Sequence, residues 1–172
     1  PIGILNILTM SLPKILESKA KIRFQDCDPF NHLNNASYFN YLINAREDQL
    51  IDNYALDIYK LTLKTGKSWV IGSHQIAYLK PANLMETVTI DSQLINYTER
   101  SLSVEIRMWN EDKSSLKAML WSTFAHYNIL KQRPEKHAEE LMNLFKEVVL
   151  PLEETSFDAR MKNLRIQQKQ LA

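Results

Sequence analysis

Asp26-Cys27-Asp28-Pro29-Phe30-Asn31-His32-Leu33-Asn34-Asn35-Ala36-Ser37-Tyr38 is the stretch around which the rest of the chain is organised. It packs two carboxylates, an imidazole and three amides into a turn that opens a helix. Pro29 drives Asp28 away from helical dihedrals, and Asn31 tolerates the left-handed conformation that a sharp bend needs, so the chain turns before the apolar run beginning at Tyr38. Asn34 or Asn35 can then cap the helix. A helix start carries unpaired N–H groups and about half a positive charge, so a carbonyl oxygen that faces it is polarised. Asp28 would lie beside that carbonyl.

Working outward, Ile22 and Phe24 alternate with Lys21 and Arg23, the mark of a short strand leading into the loop. The helix after the loop is apolar on most sides from Tyr38 through Ala45, and its first charges arrive at Arg46, Glu47 and Asp48, which reads as a helix wrapped by other structure. Four strand-like runs follow, Trp69 to Leu79, Glu86 to Asn96, Leu102 to Trp109 and Lys117 to Leu130. Leu102, Val104, Ile106 and Met108 point inward and Ser101, Ser103, Glu105 and Arg107 outward, as in a sheet with one covered face. Asn110 to Ser114 is the hairpin turn. Beyond Pro134, Leu141, Leu144, Phe145 and Val148 mark an amphipathic helix, with Pro134 and Glu135 suited to its start. The expected layout is α+β, one antiparallel sheet around one helix. It divides into a leader of uncertain role over 1–16, a domain over 17–150 and a polar tail over 151–172.

Composition narrows the function classes. The chain has 172 residues, 45% hydrophobic and 24% charged, and its 21 basic and 20 acidic residues nearly cancel. That fits one ordinary domain and gives no bulk attraction to nucleic acid or membrane. The single Cys27 excludes an internal disulfide, and four scattered histidines offer no zinc spacing. The apolar leader is shorter than the ~20 residues of a membrane helix and has no basic start, so the expected location is cytoplasmic.

The motif resembles that of the hotdog-fold acyl-CoA thioesterases related to 4-hydroxybenzoyl-CoA thioesterase, roughly D-x-D-x-x-G-H-V-N-N-x-x-Y before a long helix. The likeness continues through Ala45-Arg46 and Tyr78-Leu79-Lys80-Pro81-Ala82 and covers about residues 17 to 130. It implies a single hotdog fold, hydrolysis of acyl-CoA to acid and coenzyme A, and a homodimer or a tetramer of dimers whose sites lie where subunits meet. It makes Asp28 the catalytic carboxylate and the backbone N–H near Asn35 the oxyanion donor. Asn31 stands where the family usually has Gly, and Met85-Glu86 where it usually has Gly-Asp. The Asn-His-x-Asn-Asn core also resembles plastid acyl-carrier-protein thioesterases, and a non-catalytic acyl-binding or assembly module is the alternative of another class.

Thioester hydrolysis needs a group that attacks or activates water and a preorganised donor for the oxyanion. Asp28 serves as nucleophile or general base, and the residues alone leave both open. His32 titrates near neutrality and can shuttle a proton, bind substrate oxygen, or lock the loop. Asp26 orients the loop or the water. Arg100 sits where the resembled family places phosphate-contacting basic residues, so the resemblance puts it at the coenzyme A phosphates, with Lys80, Arg107 and Tyr38 as further substrate contacts. A calcium loop from Asp26 fails because Phe30, Asn31 and Ser37 occupy its fifth, sixth and twelfth positions. Strand alternation turns Cys27 away from Asp26 and Asp28, so neither metal nor cofactor is expected.

Overall fold

The computed structural model describes residues 11–170. The expected leader therefore lies outside the described residues as far as residue 10, as do the last two residues of the tail. From the N-terminus come β1 (Ile15–Lys21), a 3-10 turn (Phe24–Asp26), α1 (Asn35–Tyr54), α2 (Ile58–Thr65), β2 (Lys67–Tyr78) and β3 (Thr87–Tyr97). They are followed by β4 (Ser101–Asn110), β5 (Leu116–Asn128), the two-residue β6 (Arg133–Pro134), α3 (Glu139–Val148) and α4 (Phe157–Gln170). The strands form one antiparallel sheet in the order β1-β3-β4-β5-β2, with β6 on β5.

α1 starts where the Asn34 side chain accepts from the Ala36 N–H and stops at Ala55, which adopts the left-handed conformation at φ 52°. Its fully buried positions, Tyr38, Leu42, Ala45, Arg46 and Gln49, form one stripe at helical spacing. That stripe packs on Val88, Ile90, Leu94, Val104, Ile106, Ala118 and Leu120, the inner face of the sheet. Phe39, Tyr41 and Ile43 beside it are only half-buried. α1 is therefore laid along the sheet and flanked, with one side left open.

Four readings need correction. The first strand ends at Lys21, before the segment expected: Ile22 is buried and still exchanges bonds with Met85 and Glu86 (3.0 and 2.9 Å), but the chain then coils into the 3-10 turn and leaves Phe24 79% exposed. An extra helix, α2, runs between Asp57, whose carboxylate accepts from the Lys60 N–H, and Gly66, whose φ of 66° closes it. α3 starts at Glu139, because Arg133 and Pro134 are held on β5 instead. The outward face of β4 is not solvated. Glu105 and Arg107 are buried there, since α4 lies across that face with Phe157, Met161 and Leu164 against Leu116 and Met119, and Trp109 and Trp121 pack at the edge of the cluster.

Arg160 from α4 binds Glu105 (2.9 Å), Glu105 binds Arg107 (3.2 Å), and Arg107 binds Asp91 (2.7 Å). This buried chain of alternating charges is satisfied along its length, which is the condition under which buried ions are tolerated. It also fixes Arg107 as a structural residue, on the face opposite α1.

Candidate active site

The loop between the 3-10 turn and α1 is braced on both sides. The Leu33 N–H donates to the Ala82 carbonyl (2.8 Å), the Leu84 N–H to Asn31 (2.8 Å), and the buried Tyr38 hydroxyl accepts from the Ala82 N–H (3.0 Å). Asn31 takes the left-handed conformation at φ 60°, as a bend at that point requires, and Met85 does the same at φ 63° in the facing turn. Side chains thus occupy both positions where the resembled family usually has Gly.

Asp28 is partly buried at the apex. Its Oδ1 accepts from the N–H groups of Phe30 (2.9 Å) and His32 (3.1 Å), and its own N–H donates to the His32 carbonyl (2.8 Å). Oδ2 has no protein partner among the described residues. One carboxylate oxygen therefore holds the turn and the other is left unengaged.

At the start of α1, the Asn34 N–H donates to the Asp26 carbonyl (2.8 Å), the Ala36 N–H to Asn34 Oδ1 (2.9 Å), and the Ser37 N–H to the Asn34 carbonyl (2.8 Å). Asn34 is the cap. The Asn35 N–H has no partner among the described residues, and the Asn35 carbonyl is fixed by the Tyr78 hydroxyl (3.0 Å). A free donor at a capped helix start is suited to an oxyanion, and a free carboxylate oxygen in the same loop to attack on a carbonyl or to taking a proton from water.

The neighbours serve the loop. Asp26 Oδ2 accepts from the Tyr41 hydroxyl (2.7 Å), which also accepts from the Arg23 N–H (3.1 Å). Burial and the bond to Asp26 push the Tyr41 pKa up, so it stays a donor. The Cys27 thiol turns back to the Arg23 carbonyl (3.3 Å), and desolvation followed by the Asp26 and Asp28 charges raises its pKa, leaving a weak nucleophile. His32 is half-buried, anchored by its backbone to the turn, with its ring unpartnered among the described residues. Tyr38 is 2% exposed, with its ring edge-on to Tyr78 (5.1 Å) and its hydroxyl on Ala82, so the fold itself occupies both ends of the side chain.

The expected phosphate contacts separate. Lys80 is exposed three residues from Asn83, which bridges to His32, and so sits on the rim of the loop. Arg100 does not. The loop meets the beginning of β3, whereas Arg100 follows its end, and β3 is eleven residues long, a span of roughly 35 Å when extended. Tyr41 and Tyr78, which lock Asp26 and Asn35, escape a sequence reading as site residues; their signal is a polar tip on otherwise apolar elements facing the motif.

The thioesterase-like superfamily model matches residues 22–145. A stretch of 79 residues, 46% of this chain, is 32% identical to the long-chain acyl-CoA thioesterase FadM of Escherichia coli and spans 58% of that relative's length. The crystal structure of YbaW, a probable thioesterase from Escherichia coli, superposes with a TM-score of 0.66 at 25% identity, over 78% of this chain and 99% of that one. Slr0204, a 1,4-dihydroxy-2-naphthoyl-CoA thioesterase from Synechocystis, shares the fold at a TM-score of 0.71 and 9% identity, over 80% and 99% of the two chains. The α+β architecture is the hotdog fold of such thioesterases, and the chain belongs to the thioesterase-like superfamily.

Proposed function

We propose that the chain hydrolyses acyl-CoA thioesters to a carboxylic acid and coenzyme A, with Asp28 as nucleophile or general base and the Asn35 N–H as oxyanion donor. The observation that carries this reading is the pair of unengaged groups in one loop, Asp28 Oδ2 and the Asn35 N–H, where the backbone N–H groups from Asp26 to Asn34 are bonded. The acyl-CoA substrate rests on likeness to relatives described by that activity. His32, on the same rim, binds substrate oxygen or carries a proton to the departing thiolate.

The site is completed by a second copy. β2 is a free edge with Val70 and Ile71 exposed (43% and 46%), and antiparallel pairing of two such edges buries them. In that pairing the Lys67 end of one β2 lies beside the Tyr78 end of the other. Tyr78 holds Asn35, and the Lys67 end runs through Trp69 and His126 to Arg100, whose carbonyl accepts from the His126 N–H (2.8 Å). Arg100 of the second copy then approaches the Asp28 loop that its own chain cannot reach, with Lys80 on the same rim for the phosphates. Thiol release across a panel of acyl-CoA esters tests the proposal. Turnover expected for at least one chain-length class supports it, and no release from any member refutes it.

A further inference from the structure

A cavity of about 540 Å³, lined by no residue of its own chain's Asp28 loop, lies between the C-terminal half of α1, α2, α3 and the inner face of the sheet. Its wall is almost wholly apolar, with Leu50, Leu94, Val104, Phe124, Leu144 and Phe145 among the lining residues, and its volume is in the range of small-molecule sites. One group breaks the pattern. Arg46 lines the cavity while only 8% exposed, and its guanidinium donates one hydrogen bond, from Nη1 to Ser92 Oγ (3.0 Å). No carboxylate of the described residues lies within ion-pair distance of it.

The charged groups nearby are otherwise engaged. Glu47 accepts from the Tyr59 hydroxyl (2.9 Å), the Tyr54 hydroxyl donates to the Pro13 carbonyl (2.6 Å), and Glu147 is exposed and accepts from the Leu12 N–H (3.2 Å). Ser92 in turn donates to Gln49 Oε1, so the acceptor that Arg46 uses is a neutral one. Burial lowers the Arg46 pKa to about 10, which still leaves it protonated at neutral pH. An unpaired buried cation is expensive, and a planar guanidinium with free N–H groups matches a carboxylate in two-point geometry. An apolar wall ending in such a cation is complementary to one class of molecule, a hydrocarbon chain with an anionic head.

We infer that this cavity binds an unesterified aliphatic carboxylic acid, its carboxylate on Arg46 and its chain along the apolar wall, at a site that shares no residue with the Asp28 loop of the same chain. The inference does not depend on the hydrolytic reading, because it rests on charge and shape within the cavity. An uncharged acyl tail would leave the guanidinium as it is, so the head group and not the chain distinguishes this occupant.

Calorimetric titration with dodecanoate and with dodecanol, both below their micellar concentrations, tests it on the parent chain without any substitution. The acid is expected to bind one per chain, at least about tenfold more tightly than the alcohol, the factor a charge-assisted contact provides. Arg46→Gln is expected to remove that preference, and Leu144→Trp, which fills the cavity from α3, to weaken both ligands. Equal affinity for acid and alcohol, absence of acid binding, or undiminished acid binding in Leu144→Trp would each overturn the proposal. If Arg46→Gln does not fold, the acid-to-alcohol ratio on the parent and the Leu144→Trp result still decide.

Discussion

Replacing Asp28 by Asn and by Ala separates its turn-holding bonds from the chemical role proposed for its carboxylate. Asn keeps an acceptor at the Oδ1 position for the Phe30 and His32 N–H groups (2.9 and 3.1 Å) but cannot attack or take a proton. Ala loses both bonds. At about 0.5–1.5 kcal/mol net for each hydrogen bond, Asp28→Ala costs about 1–3 kcal/mol. At about 2–4 °C per kcal/mol for a chain of this size, that is a fall of several degrees in melting temperature. Asp28→Asn should stay within about 2 °C of the parent by the same conversion. Losing a general base is worth about 10²–10⁴ in rate, and losing a nucleophile at least as much. The expected pattern is therefore equal inactivity in two variants of unequal stability. Melting curves and thiol release at saturating acyl-CoA measure both quantities. Asp28→Asn hydrolysing near the parent rate, with Asp28→Ala slow only in proportion to its instability, would reduce Asp28 to a turn residue.

Ile71→Lys places a charge on the exposed β2 edge and should shift sedimentation from dimer to monomer with loss of turnover; a fully active monomer would refute a shared site. Arg100→Ala should raise KM for acyl-CoA more than it lowers kcat, and the effect should vanish for a short thioester without the nucleotide. Equal losses on both substrates would assign Arg100 to the fold. Burial, aided by His126, lowers the His137 pKa to about 4 from its ordinary 6.5. The unfolded chain binds the extra proton between those values, so His137 should make stability fall as pH drops from about 6.5 to about 4 and add no further dependence below that. The distance between those two values bounds the effect at about 3 kcal/mol. Melting curves of His137→Gln against the parent over that range should show a shallower slope, and identical slopes would remove His137 as the cause.

The legible parts of this chain are those in which local chemistry and tertiary structure agree. Asn31, Asn34 and Pro29 specify the bend and the cap by themselves, and β4 announces itself by alternation because Val104, Ile106 and Met108 are buried on its inner face. β1 is hard to place because Leu16 is its only fully buried residue, so an edge strand with charged neighbours carries almost no period. α2 escapes notice although Asp57 and Gly66 bracket it with a start and a stop signal; eight residues give too little periodicity to stand out. The spacing of Phe157, Met161 and Leu164 is readable as a helix face, but nothing local says which sheet face it covers. Arg100 can be placed beside the motif only by resemblance, since one chain puts the two at opposite ends of β3. Likewise, no pattern in α1 distinguishes the buried Arg46 from a solvated arginine.

α4 gives the molecule a combining number. Lying across Trp109, Leu116, Met119 and Trp121, it supplies from the same chain what a stacked second sheet would otherwise have to supply. The β1 edge is lined by Glu17, Lys19 and Lys21, charges that discourage another strand. With the outer face closed in cis and the β1 edge guarded, β2 is the exposed edge of the sheet among the described residues, and if copies pair through it, as proposed, each has a valence of one. Assembly through β2 then saturates at two copies instead of growing. Cutting the chain before Phe157 would restore a second valence by uncovering that outer face.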